Sequence, residues 1–188
     1  MYITEPATGG SIVSIEIDVL NGETSWPLAE PLFKSVYPPH VVASLPWANI
    51  AFAHPELRVL IQDDSGDVVS HVGIVRREVT WNGRAMRAGG IGGVATRDDQ
   101  RRRGYASIAL DAAIRTLTDE GSIDFALLFC EPHNAAFYAN RGWRPFEGDI
   151  YAEQPEQGRI PFTVTAPHVL KIRQAPLRGT IDLCGLPW

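Results

Sequence analysis

Cysteine is scarce in this sequence. Cys130 and Cys184 are the only two in 188 residues, and their spacing suits neither a metal site nor a redox pair. The expectation is a reduced, cytoplasmic protein with no metal. No stretch has the length and apolarity of a membrane span. The opening MYITEPATGGSIVSIEIDVL lacks a basic region followed by a long apolar run, so it does not read as a secretion signal. Positive charge is short as well. Lys and Arg number 17 against 22 Asp and Glu, and the net charge of −5 argues against a general nucleic-acid binder. Internal repeats, low-complexity tracts and an interdomain linker are missing, so residues 1–188 are expected to form one domain. Hydrophobic residues at 45% supply enough for a proper core at this length.

Against that acidic background one basic cluster stands out, in the stretch GVATRDDQRRRGYASIALDAAIRTLTDEG from Gly93 to Gly121. An extended piece (residues 93–96) runs into a polar loop (97–100). Three arginines and Gly104 follow, and a helix opens. Tyr105, Ile108, Ala109 and Ala112 stand at i, i+3, i+4 and i+7, which predicts one apolar helix face, and Gly121 supplies a left-handed stop. A strand, a loop with free amides and a helix N-terminus together suit a phosphate group, because unpaired N–H groups and the helix dipole both favour an anion. The alternative for the same residues is a solvated charge run with a tight turn.

Strands are expected over Ser11–Leu20, Leu57–Gln62, Val68–Thr80 and Arg84–Thr96, with a hairpin turn at Asn82-Gly83. Ser25–Tyr37 reads as a helix interrupted by Pro27 and Pro31 and starting near Glu30; His40–Phe52 reads as a second short one. The run Gly89-Gly90-Ile91-Gly92-Gly93 suits close approach of a backbone or ligand, or else a simple bulge. Asp124–Cys130 is apolar enough for a buried parallel strand. A helix is expected over Asn134–Asn140 with Asn134 as its cap, a polar loop over 152–160, and a last strand over Pro161–Gln174. The order suits an α/β sandwich with a mixed sheet.

Arg101-Arg102-Arg103-Gly104-Tyr105-Ala106 resembles the R/Q-x-x-G-x-G/A signature of the GNAT acyl-CoA-dependent N-acyltransferases. Asn134–Trp143 (NAAFYANRGW) resembles that superfamily's second signature. The resemblance implies the GNAT fold: a mixed, mostly antiparallel sheet with helices on both faces, and a central pair of parallel strands that splay apart. It also implies acetyl-CoA as co-substrate. Arg101, Arg102, Arg103, Gly104, Tyr105 and Ala106 would hold its pyrophosphate. The backbone of Val94, Ala95 and Thr96 would hold the pantetheine arm, as would Asn134 where it is not merely a helix cap. Tyr138 would be the general acid for the departing thiolate, since a phenol with a reference pKa near ~10 stays protonated at neutral pH.

More narrowly, Gly66–Thr96 resembles the aminoglycoside 2′-N-acetyltransferases through His71, Arg76-Arg77, Asn82-Gly83, Arg87 and Val94-Ala95. The stretch beginning His54-Pro55-Glu56-Leu57-Arg58 is also similar to the rhizobial nodulation N-acyltransferases. Both groups acylate an amino group on a sugar. The implied activity is acetyl transfer to a primary amine of a small molecule, an amino sugar or aminoglycoside among the candidates. The alternatives are long-chain acyl transfer or a CoA-binding module without catalysis. No nucleic acid or membrane partner is implied; a homodimer, frequent in the superfamily, is. One departure matters: Gly92 stands where the aminoglycoside enzymes carry a glutamate in the usual place of a general base. His71 is the candidate replacement base or acceptor-orienting residue, with Glu131 and His133 as further bases. Cys130 reads as a small core residue, and Trp188 lines the acceptor pocket or pins the tail.

Overall fold

The computed structural model describes residues 2–5 and 13–188, so Ser11 and Ile12 of the first expected strand lie outside the described residues. The chain begins with β1 (Tyr2–Glu5) and β2 (Val13–Asn21), then α1 (Trp26–Val36) and a single turn α2 (Pro39–Val42). Three strands follow: β3 (Leu57–Gln62), β4 (Val68–Trp81) and β5 (Arg84–Thr96). Next come α3 (Tyr105–Asp119), β6 (Phe125–Cys130), α4 (Ala135–Ala139) and β7 (Arg144–Pro145). The last four strands are β8 (Glu147–Gln154), β9 (Gly158–Pro161), β10 (Ala166–Lys171) and β11 (Arg178–Asp182). The sheet order is β1-β2-β3-β4-β5-β6-β10-β7, and β11 leaves this path by pairing with the far end of β4 and, in parallel, with β8.

Asn82 and Gly83 both take left-handed φ values (50° and 78°), as a two-residue hairpin turn requires. The turn sets the β4–β5 register from Trp81↔Arg84 to Ile74↔Ile91 without a break. Side-chain alternation in β3 then assigns the faces. Val59 and Ile61 pack with Ala109, Ala113 and Leu117 of α3, whereas Leu60 packs with Ala29 and Leu32 of α1. Helices therefore cover both faces. Leu127, out of phase with Ala126 and Leu128, joins a further cluster with Val75, Phe125, Ile181 and Trp188.

Four expectations need correction. Helix α1 begins at Trp26, not near Glu30, because Pro27 falls in the first turn, where a missing N–H costs nothing. Beyond α2, the stretch to Ile50 makes i→i+3 turns such as Ser44 N–H to Val41 O and Ala48 N–H to Leu45 O, and does not continue as a helix past Pro46. The expected loop at 152–160 is a β8–β9 hairpin whose turn puts Glu156 at φ 66°. The expected last strand over Pro161–Gln174 contracts to Ala166–Lys171, antiparallel to β6, and a further strand forms in the tail at Arg178–Asp182.

Candidate active site

The parallel pairing of β5 with β6 is short. It runs from Ala88↔Phe125 to Ile91↔Leu128 and then stops, although both strands continue. Immediately beyond, β5 bulges against β4. The register jumps from Gly73↔Gly92 to His71↔Ala95, so that Gly93 and Val94 together oppose Val72. Gly93 adopts φ 56°, in the left-handed region that favours glycine. A bulge disrupts the ladder locally and re-aims backbone groups, here those of Gly93 and Val94 at the gap between the two strands. A cavity of about 450 Å³ opens there. It is floored by Gly73, Gly92 and Gly93 and walled by aromatic side chains from α1, the following loop and the C-terminal segment. That volume lies within the range of small-molecule sites.

At the far end of β5 the chain passes through a 3-10 turn (Asp98–Gln100) to Gly104, which caps α3 with φ 86°. Arg102 is also left-handed, at φ 64°. Neither value is cheap for a residue with a side chain, and such strain concentrates where a ligand is held. The N–H groups of Arg102 to Ala106 have no partner within the chain among the described residues, and residues 101–104 are exposed. This is the free-amide nest that an anion needs. Arg101 is paired with Asp98 at 2.7 Å; Arg102 and Arg103 make no ion pair among the described residues, which leaves their charge available.

Tyr138 lies on α4 at the β6 side of the gap and is 7% exposed. Phe137 and Trp143 hold its ring edge-on, at 5.0 and 6.1 Å between centroids. It lines the cavity, and its hydroxyl has no hydrogen-bond partner in the chain among the described residues. Burial, reinforced by the neighbouring Cys130 and Tyr37, pushes the phenol well above its ordinary pKa, with Arg141 opposing. The proton is therefore firmly held. Cys130, itself buried, has its thiol pushed up to about 11 by the same burial, which suits a core residue and not a nucleophile.

Residues 23–146 match the family model described as an acetyltransferase (GNAT) domain. The chain belongs to the GNAT acetyltransferases. Among curated proteins it is similar to an aminoglycoside 2′-N-acetyltransferase of Mycolicibacterium fortuitum, 30% identical over 90 residues; the matched segment spans 48% of this chain and 45% of that protein. Among solved structures it is similar to a GNAT family N-acetyltransferase of Escherichia coli in complex with CoA, with a TM-score of 0.62 at 18% identity, covering 96% of this chain and 93% of that one. A GNAT family acetyltransferase of Brucella melitensis in complex with acetyl-CoA gives a TM-score of 0.56 at 13% identity, covering 89% and 94%. At these identities the likeness is one of fold.

Within this GNAT chain the structure gives a steric reason for Gly92. A Cβ at that position would lie 2.7 Å from the backbone carbonyl carbon of Trp188, and one at Gly90 would run into the Trp188 ring. The Trp188 indole N–H donates to Leu127 O at 2.9 Å, so the C-terminal segment is bound directly over the glycine floor. Trp188 thus both lines the cavity and pins the tail. Gly92→Glu is expected to destabilise the fold by about 1–3 kcal/mol, measurable as a lower urea midpoint. Unchanged stability would mean that Trp188 leaves this position readily.

Asn134 precedes α4 but its side chain makes no capping bond; the carboxamide lines the cavity without a partner in the chain among the described residues. Ala95 turns its methyl into the α1 cluster, so it can offer a ligand only its backbone. Thr96 is tied through its hydroxyl to Ser70 at 2.9 Å.

His71 is 1% exposed and both ring nitrogens are engaged. One lies 2.7 Å from Gly93 O and the other 2.9 Å from a guanidinium nitrogen of Arg58. Guanidinium can only donate, so Nε2 must accept and Nδ1 must carry the proton given to Gly93 O. The lone pair a base would use is therefore taken. Burial, with the Arg58 charge adding to it, lowers the His71 pKa to about 4. The geometry gives His71 the task of joining Arg58 to the bulge.

Sequence reasoning missed Arg58 and the aromatic wall. Trp26, Phe33, Tyr37, Trp47 and Phe52 meet in a chain of ring contacts with centroids 5.4–6.1 Å apart. Their concentration within one stretch of the chain was the available signal. Among the described residues no group of His, Cys, Asp and Glu could hold a metal ion, and no helix is long and apolar enough to cross a membrane.

Proposed function

We propose that this GNAT protein transfers an acetyl group from acetyl-CoA to a primary amine of a small molecule. The observation that carries the reading is the gap between β5 and β6, where the bulged Gly93–Val94 backbone and the unpartnered Tyr138 hydroxyl face one cavity. The residues fit the co-substrate: the free amides of Arg102 to Ala106 suit its pyrophosphate, and Asn134 with the backbone of Val94, Ala95 and Thr96 suits its amide-bearing arm. When bound, acetyl-CoA supplies the activated acyl group.

The chain's own residues do the rest. The Val94 N–H stands at the gap to polarise the thioester carbonyl. Tyr138 gives its phenolic proton to the departing sulfur as the carbon–nitrogen bond forms. The apolar surroundings that raise the phenol pKa also disfavour a free thiolate, so donor and acceptor remain matched. Glu131, the one acidic side chain among the described lining residues, takes the amine proton directly or through water.

The curated relative favours an amino sugar as acceptor; the cavity offers a polycation little beyond Glu131. Its apolar walls also give long-chain acyl transfer a specific support, and comparing acetyl-CoA with octanoyl-CoA as donors separates the two. Titration calorimetry with acetyl-CoA tests the common requirement. An Arg102→Ala/Gly104→Glu double variant is expected to bind roughly 10- to 100-fold more weakly, having lost a charge-assisted contact and the αL turn. No binding by the native chain would overturn the reading.

A further inference from the structure

Arg58 is 6% exposed, yet none of its partners is an acid. Its Nε donates to Gly22 O at 2.8 Å and one terminal nitrogen donates to the neutral His71 ring at 2.9 Å. The guanidinium also lies over the Trp26 ring, 4.9 Å from its centroid. The second terminal nitrogen has no partner among the described residues. Buried charges are almost always paired, because an uncompensated one costs several kcal/mol. Among the described residues no carboxylate approaches to sustain the charge, and burial lowers the Arg58 pKa.

Register places this cation at the acceptor end of the gap. Arg58 sits opposite Gly73, and Gly73 opposite Gly92, so its side chain rises from the same face as the glycine floor. It lines this cavity and also a second one beside Gly22 and His54. Through His71 it is joined to the Gly93 carbonyl, at the bulge itself. The phosphate-binding loop lies beyond Thr96, past the other end of the bulge, so the two cationic features serve different parts of the site. Around Arg58 the walls are aromatic: Trp26, Phe33, Tyr37, Phe52 and Trp188. Among the described residues the lining holds one acidic side chain, Glu131, partly engaged by His133 at 3.4 Å.

We propose that the acceptor is a small amino acid-like amine, with an apolar or aromatic body between these rings and a carboxylate held by Arg58. This rests on the amine-acetylation reading and specifies its substrate. A polycationic amino sugar would set its ammonium groups against Arg58 with a single acidic side chain to meet them. A carboxylate meets a preset donor, open to the cavity, whose other hydrogen bonds are already made, so little ordering is needed on binding. The reaction balances simply: the acceptor nitrogen gains the acetyl group and loses one proton, and the thiol leaves with one.

The test uses the full chain with acetyl-CoA and a thiol-release readout on three acceptors: L-phenylalanine, 2-phenylethylamine (the same body without the carboxylate) and kanamycin. Phenylalanine is expected to exceed phenylethylamine in kcat/KM by roughly 10- to 100-fold, the worth of one charge-assisted contact, and kanamycin to be poorest. Arg58→Met is expected to bring the two aromatic amines to near parity, chiefly through the KM of phenylalanine; Arg58→Lys is expected to retain part of the preference. The native comparison requires no variant to fold. Equal or better use of phenylethylamine or kanamycin by the native protein would overturn the proposal, as would a preference that survives Arg58→Met. Release of CoA with none of these or other primary amines would instead defeat the acetylation reading. The carboxylate claim is then decided by binding: N-acetyl-L-phenylalanine should bind the native protein at least tenfold more tightly than N-acetyl-2-phenylethylamine, and equal binding would defeat it.

Discussion

Tyr138→Phe is expected to lower kcat by roughly 10²- to 10⁴-fold, the usual worth of a positioned general acid, while acetyl-CoA binds with nearly its original affinity. The substitution removes a hydroxyl with no partner in the chain among the described residues, so it leaves no buried group unpaired. The edge-on packing against Phe137 and Trp143 needs only the ring, which phenylalanine keeps. The variant should therefore melt close to the native protein, and the loss should lie in the chemical step. The pH profile adds a second check. Because burial raises the phenol pKa, native kcat should show no fall from Tyr138 ionisation through pH 10, where an ordinary tyrosine would be half ionised. Unchanged turnover in the phenylalanine variant would remove Tyr138 from the mechanism.

Why Tyr138 was legible in the sequence and Arg58 was not is a matter of locality. The arginine-rich loop, α3, β6 and the helix carrying Tyr138 are consecutive, and each is specified by short-range chemistry: a glycine at a left-handed cap, a 3.6-residue apolar period, a continuous apolar strand. The β4–β5 hairpin likewise follows from Asn82-Gly83. The glycine run was read as close approach or a bulge, and both occur: Gly93 is in the bulge, while Gly90 and Gly92 admit Trp188. What approaches them comes from the far end of the chain, and no local pattern announces that.

The chain from residue 152 onward was misread for the same reason. Strand β8 alternates weakly and is stabilised by a parallel partner, β11, that lies beyond two other strands. Residues 162–165 leave the sheet, so what looked like one alternating strand from Pro161 starts only at Ala166, as β10. The cavity is assembled from α1, the loop after it, the glycine floor and residue 188, so its charge and shape become visible only after folding. That is why the resemblance pointed to an amino sugar while the lining favours an apolar acid.

His71 gives the last expectation, with a definite sign. Its pKa falls from 6.5 unfolded to about 4 in the fold. Below pH 6.5 the unfolded chain takes up a proton that the native ring refuses, so the native state loses stability as pH falls and the loss is complete below about pH 4. Two and a half pKa steps at 1.36 kcal/mol each amount to about 3 kcal/mol. A solvent-exposed histidine would contribute nothing of the kind. Burial is the main cause of the effect, and Arg58 adds to it: a protonated ring would place a second cation beside a buried guanidinium and leave that guanidinium without its acceptor. Urea unfolding at pH 7, 5.5 and 4 should thus show the native protein losing about 3 kcal/mol more than a His71→Asn variant, which can still donate to Gly93 O but does not titrate. Parallel curves for the two proteins would mean that the ring is protonated in the fold. Nε2 would then be a donor and could not accept from Arg58, so the neutral link between Arg58 and the bulge would be wrong.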